Sequence, residues 1–466
     1  MVNKSVRPFG KKDEIGYVFG DMAGSFVNLF VDAYFLIFCT YVLGISSAWM
    51  GTLFLAARLW DAINDPIMGS LPDRWMIGKS GDKFKPWIKI FMVPLALSGV
   101  LCFTSVPFTG VALHAWVAFV YVLYGMSYTG TSMPFGAMAN VVSTDPIDRS
   151  KLSRARSIGG TLVGIGALSF VPVICFDANS NIIPERFTLL GIIFGILSII
   201  SYSLLLKNTE ERVRVEKKEN GEKFNYGNVL KAVVKNRPLI GVMIATIGSM
   251  LYITGSSQIR SYIFKEYYQN TSIMTLLSFA SVPILLLCFP LVPKLVEKYG
   301  KKATLMAGIL FSTVFSVIPF VVEIKNVYVY SALYLIAMIG QTAFTMLIWA
   351  LVTDCLDYSE WKFNERSDGS MYSLYTFSRK IGSTIASAFV SFGLGAIGYV
   401  SGSNVVQTAE TINGIYLLVT LLPVITCVLQ VIGIGFIFNL NKSKTEEMYD
   451  ALKQKREKNI KEVGNL

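Results

Sequence analysis

The chain has 466 residues, of which 53% are hydrophobic and only 16% are charged. A soluble protein of this length carries about 25% charged residues, so the composition excludes an ordinary soluble protein. The net charge of +11 would suit nucleic-acid binding, but Lys and Arg collect between alternate apolar segments, which is the positive-inside bias of a membrane protein. We therefore expect the lipid bilayer, and no nucleic acid, among its partners.

Twelve apolar runs are each long enough to cross a hydrocarbon core of about 30 Å. They predict an all-α polytopic membrane protein with twelve transmembrane helices. The approximate spans are 15–42, 48–73, 87–106, 113–142, 157–176, 187–206, 238–262, 272–293, 303–323, 327–353, 373–400 and 412–438. The N-terminal stretch is too polar for a signal peptide, so we expect span 1 to be retained. The charge bias places both termini in the cytoplasm of a multi-pass cell-membrane protein.

One long charged segment, residues 207–237, separates the spans into two groups of six. Basic loops with glycine follow spans 2 and 8 at matching positions, a weak internal repeat of the kind found in alternating-access transporters. The predicted domains are an N-terminal six-helix bundle (1–206), a cytoplasmic linker (207–237), a C-terminal six-helix bundle (238–440) and a cytoplasmic tail (441–466). The tail has helical spacing and mixed charge, which predicts a solvated helix.

Span 1 carries two carboxylates, Asp21 and Asp32. Eleven residues are close to three helical turns, so the two share a face but stand about 16 Å apart. They cannot contact one small ligand at the same atoms. Carboxylates accept paired hydrogen bonds from sugar hydroxyls, so either is a candidate substrate anchor. For Asp32 the alternative is a partnership with a polar residue of another helix.

Span 2 contains "RLWDAINDPIMG", with Asp61 and Asp65 four residues apart near mid-span. A carboxylate there costs roughly 2.5–3.5 kcal/mol, and two on one face repel each other unless a cation or proton intervenes. Asn64 adds an amide oxygen, and such hard ligands suit Na⁺, Li⁺ or H₃O⁺, or the protonation of one Asp. The alternative is that Arg58 neutralises one Asp in a structural cluster, but one Arg cannot neutralise both. We predict a coupling-cation site, in which Asp61 and Asp65 would coordinate the metal if the ion is Na⁺.

Two later spans carry polar side chains. Span 4 supplies hydroxyl groups at mid-helix from Tyr128, Thr129, Thr131 and Ser132. Such small polar residues also serve helix packing, so this signal is weak alone. Span 11 places Thr376, Arg379 and Lys380 near its cytoplasmic end, where the two cations could instead snorkel to lipid headgroups.

Cofactor chemistry is not indicated. His114 is the only histidine, and the six cysteines are scattered with no CxxC pair. A membrane-embedded enzyme is therefore disfavoured, because metal-ligand spacing and an activated nucleophile are both missing from the pattern. We expect no cofactor other than a coupling ion, Na⁺ or H⁺.

Two long motifs carry a family resemblance. "GTLFLAARLWDAINDPIMG" followed by "GDKFKPW", and "LVTDCLDYSEWKFNERSDGSMYS" between spans 10 and 11, resemble the glycoside–pentoside–hexuronide:cation symporters of the major facilitator superfamily. The resemblance covers nearly the whole chain and is strongest in residues 15–90 and 345–400. It implies the major facilitator fold and a cation held by Asp61, Asn64, Asp65 and Thr129.

The resemblance also implies a sugar site beside the cation. Asp21 matches the family's sugar-binding acid, and Arg156, at the start of span 5, matches an arginine near the sugar. Thr376 and Lys380 match positions of span 11 that line the same cavity, and Tyr128 belongs to the polar stretch of span 4. Three positions depart from the family pattern and argue against a galactoside. Ser132 replaces a second sugar-binding Asp, Asn28 replaces a tyrosine and Gly136 replaces an aromatic residue.

The expected function is import of a glycoside, pentoside or hexuronide with Na⁺ or H⁺ by alternating access, in a monomer. The alternative is a lysolipid or other amphiphile symporter of the same fold, for which Gly136 leaves room. Between spans 10 and 11, ion pairs that break when the cavity opens inward are expected from Asp354, Asp357, Glu360 and Arg366.

Overall fold

The computed structural model describes residues 7–75, 77, 82–143, 145–212, 236–363, 368–403 and 405–463. Within these ranges the chain forms twelve helices that correspond to the predicted spans and a thirteenth helix in the tail. They are α1 (Lys11–Val42), α2 (Ser47–Arg74), α3 (Lys85–Cys102), α4 (Gly110–Val142), α5 (Pro146–Thr161, continuing to Cys175), α6 (Pro184–Asn208), α7 (Arg237–Tyr267), α8 (Ile273–Tyr299), α9 (Lys301–Val321), α10 (Val327–Phe363), α11 (Asp368–Ala396), α12 (Ala409–Ile437) and α13 (Lys442–Val463).

The predicted all-α fold with twelve membrane-spanning helices is confirmed. Over the described residues, ten helices are long and apolar enough to cross a membrane. The other two, α2 and α11, carry the charged motifs. The two largest differences from the predicted boundaries are that α10 continues through "LVTDCLDYSEWKF" to Phe363 and that α5 begins at Pro146. The second motif was expected to join two spans, but its first half is the last turns of α10.

The chain divides into two compact units. The first comprises the described residues of Met1–Gly221, Phe264–Phe279 and Leu394–Thr408. The second comprises those of Glu222–Ile263, Ala280–Gly393 and Ala409–Leu466. Most of the predicted linker, residues 213–235, lies outside the described residues, so the domain boundaries stay a prediction.

Helix starts are fixed by local polar groups. The Ser46 hydroxyl accepts the N–H of Trp49 at the start of α2, and the Asn236 side chain accepts the N–H of Leu239 in α7. The carboxylate of Glu211 accepts three consecutive N–H groups, from residues 83, 84 and 85, at 2.7–2.9 Å. These are orphan donors at the start of α3, and an anion also complements the helix dipole there.

An aromatic cluster forms the core of the first unit. Phe30 of α1 lies with its ring centroid 4.1 Å from Phe103, 5.2 Å from Phe194 and 6.1 Å from Phe187. Phe30, Phe103 and Phe187 are fully buried. Such ring pairs add about 0.5–1.5 kcal/mol each beyond their buried area. They fix the position of α1 against α6.

A buried ion pair joins the tail helix to the second unit. Asp354 of α10 is 2% exposed and lies 2.6 Å from Lys301 Nζ. The hydroxyl of Tyr449, on α13, donates to the same carboxylate oxygen at 2.5 Å. Burial raises the pKa of Tyr449, and the hydrogen bond to Asp354 raises it further, so the phenol stays a donor.

One face of the tail helix is packed rather than solvated. Met448 and Leu452, one turn apart on α13, are buried. Lys442 Nζ donates to the carbonyls of Glu297 and Lys298 at the end of α8, where helices leave acceptors unsatisfied. The predicted solvated helix is therefore amphipathic and docked.

Replacing Lys301 with Met should undock the tail. Removing one partner of a buried pair leaves an uncompensated charge, which costs about 3 kcal/mol. We expect a lower melting temperature for the purified protein and faster trypsin cleavage within α13. Lys444→Met, at an exposed position of the same tail, is the control. An unchanged melting temperature and cleavage rate in Lys301→Met would contradict the docking role of the pair.

Candidate functional site

The two carboxylates of α2 face α4 in matching register. The hydroxyl of Thr129 donates to Asp65 Oδ1 at 3.0 Å. One turn earlier on α4, a Cβ placed on Gly125 would lie 3.5 Å from Asp61 Oδ1. The four-residue spacing of the acids on α2 is thus matched by the four-residue spacing of Gly125 and Thr129 on α4. The structure brings Thr129 to Asp65, two residues that the resemblance placed in one cation site, and ion binding there stays a prediction.

Asn64 stands next to this pair and is 4% exposed. Its Nδ2 atom has no hydrogen-bond partner among the described residues. Rotating a side-chain amide by half a turn exchanges nitrogen and oxygen with little change of shape. The buried amide can therefore present either a donor or an oxygen ligand.

Arg58 is shared between two carboxylates. Its Nη1 atom lies 3.3 Å from Asp61 Oδ2, one turn along α2. Its charge also interacts with Asp32 of α1. One guanidinium thus lies near two acids of different helices, Asp32 and Asp61, and cannot balance both charges when both are ionised. The sequence missed the electrostatic interaction with Asp32 because it joins two different helices.

Asp32 is held by a hydrogen-bonded chain. Tyr124 donates to Asn28 Oδ1 at 2.8 Å, and Asn28 Nδ2 donates to Asp32 Oδ2 at 3.0 Å. Asn28, predicted to bind substrate, is therefore occupied with Asp32 in this structure. The part played by Tyr124 was missed, although its place one turn before Tyr128 on α4 is a signal that could have found it.

A second polar cluster surrounds Asp21. Arg156 Nε donates to Asp21 Oδ1 at 3.4 Å, and its guanidinium lies 4.8 Å from the ring centroid of Phe135. Tyr128 interacts electrostatically with Asp21 and Arg156. The resemblance implied a sugar site with Asp21 and Arg156, and these two side chains are in contact. Their part in sugar binding, and that of Tyr128, stays a prediction. A Cβ on Gly136 would lie 4.0 Å from Arg156 Nη1, so the glycine leaves space beside the guanidinium.

Two adjacent glycines let α5 approach α1. A Cβ on Gly160 would lie 2.8 Å from Asp21 Oδ2, and one on Gly159 would collide with the carbonyl oxygen of Val18. The Gly160 backbone and the Ser25 side chain hydrogen-bond to Asp21. Arg156 lies one turn before Gly160 on α5, so this close contact is what brings its guanidinium to Asp21.

The remaining predicted residues divide between α4 and α11. Ser132 is partly buried and lies one turn beyond Tyr128 on α4. Thr376 and Lys380 are partly buried, one turn apart on α11, in the second unit. Of the expected inner-side groups, Asp354 pairs with Lys301, and Arg366 lies outside the described residues.

Comparison with known proteins identifies the family of this chain. Residues 16–442 match the family described as MFS/sugar transport protein. The chain belongs to this family. The uncharacterized symporter YjmB of Bacillus subtilis strain 168 is 33% identical over 95% of each chain. The glucuronide carrier protein homolog of Escherichia coli K12 is 28% identical over 97% of this chain and 98% of its own length.

A solved structure agrees in fold. A bacterial homologue of the human lysosomal transporter Spinster matches with a TM-score of 0.65 and 13% identity, over 95% of this chain and 99% of its own. At that identity the likeness shows the fold alone. Family and fold together make this member of the MFS/sugar transport family a multi-pass secondary transporter and not an enzyme, and they confirm the resemblance drawn from the motifs.

Replacing Gly159 with Ala should separate α5 from α1. The added Cβ would meet Val18 and also lie 3.1 Å from Met22 N, so helices must shift. Overpacking of this kind costs about 1–3 kcal/mol. We expect a lower melting temperature and weaker sugar binding. Gly166→Ala, on the continuation of α5 with nothing within 4 Å of the new Cβ, is the matched control. Equal behaviour of the two variants would contradict the close-contact role.

Proposed function

We propose that this transporter imports a glycoside, pentoside or hexuronide together with Na⁺ or H⁺. The observation that carries the proposal is the pair Asp61 and Asp65 on α2, which face Gly125 and Thr129 of α4. Ionised carboxylates this close need a cation or a proton to share a site. A coupling ion answers that need, and a symporter requires one.

The proposed cation ligands are Asp61, Asn64, Asp65 and Thr129. Carboxylate, amide and hydroxyl oxygens are the hard ligands that an alkali cation takes, and Asp61 and Asp65 would neutralise it. The Thr129 hydroxyl already donates to Asp65, so its lone pairs remain available for an ion. No other cofactor is proposed.

The proposed sugar site is the cluster around Asp21. Asp21 can accept paired hydroxyl hydrogen bonds, Arg156 can donate to ring or glycosidic oxygens or to a carboxylate, and Tyr128 offers an aromatic face. Ser132 extends this face of α4 by one turn. A hexuronide is compatible with Arg156, and a relative of 28% identity is named as a glucuronide carrier. Asn28, Thr376 and Lys380 are proposed as further substrate contacts.

Coupling follows from the shared helix. α4 presents Thr129 to α2 and the adjacent Tyr128 to the Asp21 cluster. An ion that draws α2 and α4 together therefore also sets the position of Tyr128. By linkage, sugar must tighten ion binding by the same factor as the ion tightens sugar binding. We propose that this happens in a monomer in the cell membrane, with both termini cytoplasmic.

Asp65→Asn should uncouple transport. The change keeps the shape of the side chain and removes one charge, so the ion loses a ligand while the sugar cluster is untouched. We expect accumulation of labelled sugar against its gradient in proteoliposomes to vanish, with sugar exchange surviving. Asp450→Asn, at an exposed position of the tail, is the control. Unchanged concentrative uptake in Asp65→Asn would refute the coupling site.

Asp21→Asn should weaken sugar binding about tenfold, because an unpaired buried hydroxyl costs roughly 1–3 kcal/mol. Ser132→Asp should alter the ranking among sugars and leave ion binding in place. Competitive binding across a panel of pentosides, hexosides and hexuronides measures both effects. The control is Glu14→Gln. Glu14 lies on α1, as Asp21 does, and its carboxylate is 3.8 Å from Arg154 of α5. If every affinity in Asp21→Asn equals that of wild type, the sugar does not bind at α1.

A further inference from the structure

Arg58 lies among charged and polar groups from three helices. Its guanidinium contacts Asp61 on α2 and interacts with Asp32 on α1 and with Tyr121 and Tyr124 on α4. The proposed transport function uses Asp61 as an ion ligand but gives no task to Arg58 or Asp32. A cation and an extra carboxylate next to an ion site will nevertheless affect the free energy of ion binding.

The contact between Arg58 and Asp61 is weak in geometry. One nitrogen meets one oxygen at 3.3 Å, and the two side chains are 32% and 17% exposed. Charge-assisted hydrogen bonds are usually about 2.7–2.9 Å long, and arginine pairs are often bidentate. In the same protein, the buried pair of Lys301 and Asp354 is 2.6 Å long. Arg58 is therefore loosely held by Asp61.

Asp32, in contrast, is a prepared acceptor. The chain from Tyr124 through Asn28 fixes one carboxylate oxygen by a bond of 3.0 Å. Asp32 is partly buried and its position on α1 is supported by the aromatic core. Tyr124, which leads to Asp32, and Gly125, which meets Asp61, are adjacent on α4, so the two acids stand at the same level of that helix. A loosely held guanidinium at Asp61 therefore has a second, fixed anion nearby.

We propose that Arg58 is a switch residue that competes with Na⁺ for Asp61 and transfers to Asp32 when Na⁺ binds. The inference rests on the proposed cation site and names the metal ion because two carboxylates, an amide and a hydroxyl form an oxygen ligand set, which a proton does not require. Na⁺ at Asp61 and Asp65 repels the guanidinium, and Asp32 accepts it. A charge would otherwise be left unpaired near the ion.

The transfer links the ion to the sugar side of the protein. When Arg58 pairs with Asp32, α2 becomes tied to α1, the helix that carries Asp21 three turns away. Ion binding between α2 and α4 would thereby restrain α1 as well. Arg58 acts here through other residues and is a positioning residue, not a ligand.

A double-mutant cycle tests the switch. Wild type, Asp32→Asn, Arg58→Gln and the double variant are purified as full chains, and the half-saturating Na⁺ concentration is read from melting temperature, with choline keeping the ionic strength constant. We expect Asp32→Asn to raise that concentration about tenfold and Arg58→Gln to lower it at least about threefold. In the Arg58→Gln background, Asp32→Asn should change the half-saturating Na⁺ concentration less than about threefold. Asp148→Asn, which removes a paired carboxylate at the start of α5, should match wild type.

A further variant separates position from charge. Asn28→Ala removes the bond that fixes Asp32 and keeps every charge, so a switch predicts weaker Na⁺ binding, by about threefold, whereas a purely through-space effect of Asp32 predicts none. This variant also decides the matter if Asp32→Asn does not purify as a folded protein.

Three results would overturn the inference. Equal effects of Asp32→Asn with and without Arg58 would mean that Asp32 acts by long-range charge alone. Weaker Na⁺ binding in Arg58→Gln would mean that Arg58 supports the ion and does not compete with it. A melting temperature of the wild type that does not change with Na⁺ would also refute the inference. The proposed import would still be tested by the uptake assay on Asp65→Asn, because that assay does not depend on which ion is coupled.

Discussion

The cost of placing carboxylates inside membrane-spanning helices is the constraint on which this structure depends. Asp32, Asp61 and Asp65 stand along helices that are otherwise apolar, where each acid costs several kcal/mol unless its charge is balanced. Arg58 lies 3.3 Å from Asp61 and also interacts with Asp32, so one positive side chain serves two acids. The imbalance leaves a position for a cation, and it is the main physical reason for proposing ion-coupled transport.

Helix α4 converts this local imbalance into a connection between sites. Gly125 and Thr129 meet the acids of α2, while Tyr124 and Tyr128, one residue earlier in each turn, lie towards the polar groups of α1. Adjacent residues on a helix point about 100° apart, so one rigid helix serves two neighbours at once. The small residues Gly125 and Thr129 allow α4 to lie close to α2, whereas the longer side chains of Tyr124 and Tyr128 reach the polar groups of α1.

The sequence predicted much of the fold and part of the site. Hydropathy located all twelve spans, and the spacing of Asp61 and Asp65 predicted their shared face, because both signals are local. The charge interaction between Arg58 and Asp32 and the docking of Tyr449 on Asp354 were not predictable, because each joins two helices and the sequence pattern does not show how those helices are rotated relative to each other. The same limit explains Asn28. Its residue type suited a sugar ligand, and only the three-dimensional neighbours reveal that Tyr124 and Asp32 occupy both ends of its amide.

Two acid–base pairs among the described residues suggest how such proteins separate fixed from movable contacts. Lys301 and Asp354 are close, buried and reinforced by Tyr449, so breaking them strands a charge. The contact between Arg58 and Asp61 is longer, both side chains are partly exposed, and Arg58 also interacts with a second acid, Asp32. An ion pair that must break and re-form during a transport cycle cannot be much stronger in one conformation than its replacement is in the other. The free-energy difference between the two conformations would otherwise be larger than the binding of one ion can overcome. A weak pair beside a prepared alternative meets that requirement, whereas a strong, solitary pair would lock the helices in place.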